Sequence, residues 1–206
     1  MIEVLVATKN KGKLAEIKGI VSISGVKLVS LLSLPEAPSV VEDGDTFEEN
    51  ATKKALTLAQ QTQMYTLADD SGLEVEALDG KPGIFSARFA RDGATDFENN
   101  QKLLELMENV PKHKRGARFR CVLAFASPEG IIFTTEGTCQ GYITKRRIGE
   151  YGFGYDPLFA RYEDHKTFAE IDSSVKCRIS HRAKALEKAS IHIESYFIRQ
   201  SLLKSK

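Results

Sequence analysis

The stretch Ile2-Glu3-Val4-Leu5-Val6-Ala7-Thr8-Lys9-Asn10-Lys11-Gly12-Lys13-Leu14-Ala15-Glu16-Ile17 decides the fold class. Ile2 to Ala7 is a short apolar run rich in β-branched side chains and reads as a strand. Thr8 to Lys11 is polar and reads as a loop, after which Leu14, Ile17 and Val21 recur at helical spacing. A second strand, Val26 to Leu31, follows at once. Strand, loop, helix and strand in that order predict an α/β architecture rather than a helical bundle or a β-sandwich.

Working outward, three Thr-x-x-Glu spacings predict helix starts: Thr46 with Glu49, Thr95 with Glu98, and Thr167 with Glu170. Tyr65 to Ala68 and Leu73 to Leu78 read as two strands separated by a turn at Asp69-Asp70-Ser71-Gly72. Phe119 to Ala126 and Ile131 to Thr135 read as a hairpin around Pro128-Glu129-Gly130. Ser180 opens a last helix with a stripe of Ile179, Ala183, Leu186, Ile193 and Phe197, and the end from Ser201 to Lys206 reads as frayed.

With 206 residues the chain is long enough to bury a core without staples, so one domain, residues 1–206, is expected. Lys and Arg number 29 against 28 Asp and Glu, a formal charge of +1 that excludes nucleic-acid or anionic-membrane binding through bulk charge. An anionic ligand must instead be held by locally placed bases. Cys121, Cys139 and Cys177 form no C-x-x-C pair and read as reduced thiols of a cytoplasmic protein. No apolar run approaches the roughly 18 residues of a membrane span, and the N-terminus lacks the pattern of a signal peptide.

Several segments could carry chemistry. The loop Thr8-Lys9-Asn10-Lys11-Gly12-Lys13 lies where free amides and a helix start favour phosphate, although a Walker A spacing is absent. On the helix after Thr46, Phe47, Ala51, Ala55, Leu58 and Thr62 share one face. Lys54 and Asn50 border that buried face, where a charge needs a partner, while Lys53 points to water. One carboxylate from Glu42-Asp43 and one from Asp69-Asp70 would make an oxygen-only site suited to Mg²⁺. Gly152-Phe153-Gly154-Tyr155-Asp156-Pro157 sets aromatics and an acid among glycines, which permits close approach to a flat ligand. Ser180-His181-Arg182 places an N-cap and two donors at a helix start.

Together these segments resemble the noncanonical purine nucleoside triphosphate pyrophosphatase family, also called the Ham1 or inosine triphosphatase family. The resemblance rests on Thr8-x-Asn10-x-x-Lys13, Thr46-Phe47-x-x-Asn50-Ala51-x-x-Lys54, Ala68-Asp69-Asp70-Ser71-Gly72-Leu73, Pro82-Gly83-x-x-Ser86-Ala87-Arg88, Phe153-Gly154-Tyr155-Asp156-Pro157 and Ser180-His181-Arg182. It implies hydrolysis of ITP, dITP and XTP to monophosphate and pyrophosphate. It implies Mg²⁺ on Glu42 and Asp70, with Asp70 also activating water, and phosphate contacts at Thr8, Asn10, Lys13, Lys54 and Ser71; Lys9, Lys11 and Gly12 of the same loop are further substrate-binding candidates. Base contacts are implied at Phe153, Gly154, Tyr155, Asp156, Lys176, His181 and Arg182. The implied fold is an elongated, mixed, twisted β-sheet flanked by helices, in two lobes with the substrate between them, usually as a homodimer.

A Maf-type pyrophosphatase is the competing enzyme, and Phe153 to Pro157 with Ser180 to Arg182 decide against it. An RNA-binding module would have to use the basic stretch Lys112 to Arg120, which has only Phe119 as an aromatic platform.

Overall fold

The computed structural model describes residues 1–34, 36–37 and 39–204. The elements run β1 (Ile2–Val6), α1 (Lys11–Ile20), β2 (Val26–Ser30), α2 (Phe47–Thr62), β3 (Tyr65–Val75), α3 (Asp96–Leu106), β4 (Gly116–Ser127), β5 (Gly130–Ile143), β6 (Phe159–Arg161), α4 (Ser173–Ile179) and α5 (His181–Lys204). The strands form one mixed sheet in the order β2-β1-β3-β4-β5-β6. β1 is parallel to both β2 and β3, and β5 is antiparallel to β6. The α/β expectation therefore holds, and β1-α1-β2 is the parallel crossover unit that the opening stretch predicts.

By contacts the chain divides into two compact units. The first comprises Met1–Asp70, Val122–Gly137 and Arg182–Lys206, and the second Ser71–Cys121 and Thr138–His181. In the first, Val4, Leu5 and Val6 are all fully buried, as expected of a parallel strand covered on both faces. Tyr65 stacks on Phe125 and meets Phe197 of α5 edge-on, closing that core with aromatic area. In the second, Leu73, Val75, Leu103, Met107, Phe119, Phe159 and Phe168 form the centre of a continuous apolar cluster.

Several expectations need correction. Asp69 to Gly72 does not make a turn: β3 runs unbroken from Tyr65 to Val75 and ends there, with Glu76–Leu78 forming a single 3₁₀ turn. Turn propensity lost because both aspartates are buried in strand geometry beside countercharges described below. The hairpin strands are longer than expected, Gly116–Ser127 and Gly130–Ile143. Thr167 and Glu170 do form a capping box, but it closes only the 3₁₀ turn Phe168–Glu170. Ile171 then goes extended to bury its side chain in the apolar cluster, and α4 starts afresh from Asp172, whose carboxylate accepts the Ser174 N–H.

The other two caps behave as expected. At α3 the box is complete, Thr95 accepting the Glu98 N–H while Glu98 accepts the Thr95 N–H at 2.8 Å. At α2 Thr46 accepts the Glu49 N–H at 3.1 Å, and the Glu49 carboxylate reaches back to the Asp45 N–H instead. Ile179 belongs to α4 rather than to the stripe of α5, which continues through Ser201 to Lys204, while residues 205–206 lie outside the described residues. Among the described residues no helix is long and apolar enough to cross a membrane.

The basic stretch Lys112 to Arg120 is put to structural use. Arg115 is buried and donates to the carbonyls of Met107, Val110, Ile143 and Thr144, ending α3 and tying it to the end of β5. Arg118 bonds Glu74, which also faces Arg120 at 3.9 Å.

Candidate active site

In the first unit the loop after β1 is shaped by its own side chains. The Thr8 hydroxyl accepts the Asn10 N–H at 3.1 Å, and Asn10 is the N-cap of α1, accepting the Lys13 N–H at 3.0 Å. Lys9 and Lys11 are exposed, and Gly12 and Lys13 are half-buried. The Asn10 side-chain oxygen is thus spent on the helix start, which leaves its amide group, the exposed lysines and the α1 amides to face an anion.

Lys13 reaches Asp69, Nζ to Oδ1 2.5 Å, while the Arg182 Nε donates to Asp69 Oδ2 at 3.0 Å and its Nη1 bonds Glu16. Glu16, Asp69 and Arg182 are all buried, so the charges alternate Glu16, Arg182, Asp69, Lys13 in a desolvated chain. Burial alone would raise the Asp69 pKa, but Lys13 first, then Arg182 and Lys54, hold it well below the carboxylate range. Asp70, next along β3, behaves in the opposite way. Burial pushes its carboxyl up to about 6, against the pull of Lys13 and Lys54 and with help from the charges of Glu42 and Asp69.

The α2 side chains fall where helical phase puts them. Lys54 is largely covered and bonds Glu42 at 2.6 Å, whereas Lys53 lies in the open against Asp43. Asn50 is buried and accepts the Gly44 N–H at 2.8 Å, which pins the segment carrying Glu42. The Glu42 charge adds to the cost of ionising Asp70 beside two lysines, and this pair of carboxylates fits a hard divalent cation completed by water and phosphate oxygens. Among the described residues no group of three or more His, Cys, Asp or Glu is placed to hold a metal ion, so these two carboxylates would hold a cation only together with water and phosphate oxygens.

In the second unit, Phe153, Asp156, Lys176 and His181 gather. Lys176 is buried, with its ammonium 2.5 Å from Asp156 Oδ2 and 4.6 Å from the Phe153 ring centroid. Asp156 Oδ2 also accepts the Phe153 N–H at 2.9 Å, and Gly152, at φ +79°, leaves room that a Cβ would take from this carboxylate. The His181 ring stacks on Phe119, centroids 4.6 Å apart and planes within 10°. Tyr155 is a core residue whose hydroxyl donates to the Ser86 carbonyl at 2.9 Å, so its part is to anchor the segment. Ser71 and Gly154 are half-buried in this unit.

Lys13, Asp70, Glu42, Lys54 and Arg182 are thus brought into the first unit, and Ser71, Phe153 to Asp156, Lys176 and His181 into the second. Sequence reasoning missed Glu16, whose position one turn after Lys13 and beside Ile17 on α1 was its only signal. It weighed Asp69 only as the alternative to Asp70 and did not foresee that this residue holds both Lys13 and Arg182.

Fold and side chains define a mixed α/β protein built around paired carboxylates and lysines, with a separate aromatic and Lys-Asp group. The Ham1 family model matches residues 4–191. The chain is 50% identical over 201 residues to a dITP/XTP pyrophosphatase from Desulforamulus reducens, covering 98% of this chain and 100% of that one. It is 48% identical over 186 residues to a protein of the same name from Shouchella clausii, covering 90% and 93%. A solved HAM1 protein from Coxiella burnetii matches with TM-score 0.86 at 38% identity, over 95% of this chain and all of that one. The chain belongs to the Ham1 family.

Proposed function

We propose that this protein hydrolyses nucleoside triphosphates bearing deaminated purines, ITP, dITP and XTP, to the monophosphate and pyrophosphate. The observation that carries the reading is the grouping of the buried Asp70 carboxyl with Lys13 on Asp69 and Lys54 on Glu42, carboxylates and lysines gathered in one place. A buried carboxylate there is placed to act as general base, and lysines beside it match a polyphosphate. The names of the relatives support the substrate class.

Asp70 takes the proton of the attacking water on its carboxylate oxygen. Lys13 and Lys54 exchange Asp69 and Glu42 for phosphate oxygens and stabilise the charge that develops on them. Bound Mg²⁺ would be held by Glu42 and Asp70 and would supply further neutralisation of phosphate charge. For the base, the Lys176-Asp156 pair offers a donor for a 6-oxo group and an acceptor for N1–H. Adenine reverses both partners and leaves a buried charge pair unmatched. Guanine shares that edge with hypoxanthine, so its rejection rests on the 2-amino group. Phe153 supplies a face for the ring.

The proposal extends to a homodimer in the cytoplasm, where the nucleotide pool is. Ile191, Ile198 and Leu202 are exposed along one face of α5, a surface that a second copy would cover. Phosphorus NMR of an ITP reaction tests the reaction type. Monophosphate and pyrophosphate in equal amounts, dependent on Mg²⁺, are expected. IDP and orthophosphate would overturn the reading.

A further inference from the structure

The Phe153 to Asp156 segment is held from outside by residues that belong to none of the motifs above. Gly154 has φ +62°, and Gly152 before Phe153 is also left-handed, so this backbone has unusual freedom of its own. Both polar groups of Gly154 are taken by α3. Its N–H donates to Asp96 Oδ2 at 2.6 Å, and its carbonyl accepts the Asn100 Nδ2 at 2.8 Å. Asp96 and Asn100 are one helical turn apart and so face the same way.

The Asn100 amide orientation is fixed, because Nδ2 also bonds the Asp96 carbonyl at 2.5 Å and must face two acceptors. Its Oδ1 is buried and finds no hydrogen-bond partner among the described residues. Packing alone favours an apolar side chain over one that strands a buried acceptor, so the reason for asparagine lies in the donor it offers Gly154. The neighbours of Gly154 are Phe153, under the Lys176 ammonium, and Tyr155, anchored on Ser86, and Asp156 follows with its carboxylate on Lys176.

We propose that Asp96 and Asn100 are positioning residues for base selectivity: by clamping Gly154 on both sides they fix the Phe153 ring and the Asp156 carboxylate in the geometry that distinguishes purine edges. This rests on the function proposed above. Loosening the clamp should blur recognition of the right base while sparing contacts to phosphate, which every nucleotide shares.

The test is kcat/KM for ITP and ATP in wild type, Asp96→Ala, Asp96→Asn and Asn100→Ala, with thermal unfolding of each. Asp96 is exposed, so its variants keep the fold even if Asn100→Ala does not. Asp96→Ala is expected to lower kcat/KM for ITP about tenfold, mainly through KM, and ATP less than about threefold. Asp96→Asn keeps an oxygen for the Gly154 N–H and is expected to retain the wild-type ratio. An Asp96→Ala enzyme that keeps the full ITP preference, or an Asp96→Asn enzyme as impaired as Asp96→Ala, overturns the clamp. A wild type without ITP preference would instead overturn the functional reading on which it rests.

Discussion

Replacing Lys176 by Met keeps an unbranched side chain one atom shorter and removes the charge that faces Asp156. Both residues are almost fully buried, at 4% and 2% exposure, and their charged atoms are 2.5 Å apart. Breaking a buried pair by deleting one partner costs about 3–5 kcal/mol, because the remaining charge is left desolvated. The Phe153 N–H still bonds Asp156, which puts the expected loss toward the lower end of that range. At about 2–4 °C per kcal/mol for a chain of this length, a loss of about 3 kcal/mol makes Lys176→Met melt about 6–12 °C below wild type. The double variant Lys176→Met with Asp156→Asn strands no charge and should recover most of that stability. Its preference for ITP over ATP should stay lost, since neither the 6-oxo donor nor the charged N1–H acceptor remains. Urea unfolding of the three proteins, paired with kinetics on ITP and ATP, gives both quantities. Lys176→Met within about 1 kcal/mol of wild type would refute the claim that this pair is desolvated.

Other outcomes follow from the same geometry. Asp70→Asn should lower kcat by at least about a hundredfold in folded protein, the scale of one well-placed catalytic group, measured with saturating ITP. Lys54→Ala should weaken kcat/KM for every triphosphate alike, while Lys53→Ala, which opens only an exposed pair, should change it little; equal effects would contradict the helix phase. Arg115→Met should destabilise strongly, since it strands buried carbonyls worth about 1–3 kcal/mol each, and leave the ITP to ATP ratio unchanged.

Much of the fold was legible because periodicity and capping speak locally. The phase of α2 separated Lys54 from Lys53, and the structure gives them different neighbours and different exposure. Thr95 with Glu98 marked α3 correctly. What failed did so where distant residues override local preference. Asp69-Asp70-Ser71-Gly72 has turn composition, yet Lys13 and Arg182, far along the chain, make a buried Asp69 tolerable in a strand. Thr167 with Glu170 has the right spacing, yet burial of Ile171 stops the helix after one turn. The roles of Glu16, Asn100 and Asp96 depend on partners that sequence spacing cannot supply, because each bonds a residue on another element.

The central claim is that this chain recognises the purine edge of a triphosphate and cleaves it to pyrophosphate. Its most direct test is kcat/KM for ITP, dITP, XTP, ATP, GTP and dUTP in one pyrophosphate-release assay with Mg²⁺. ITP, dITP and XTP should exceed ATP and GTP by at least about tenfold, the discrimination expected when a buried donor or acceptor is left unmatched. Equal turnover of ATP and ITP, or dUTP as the best substrate, would contradict it.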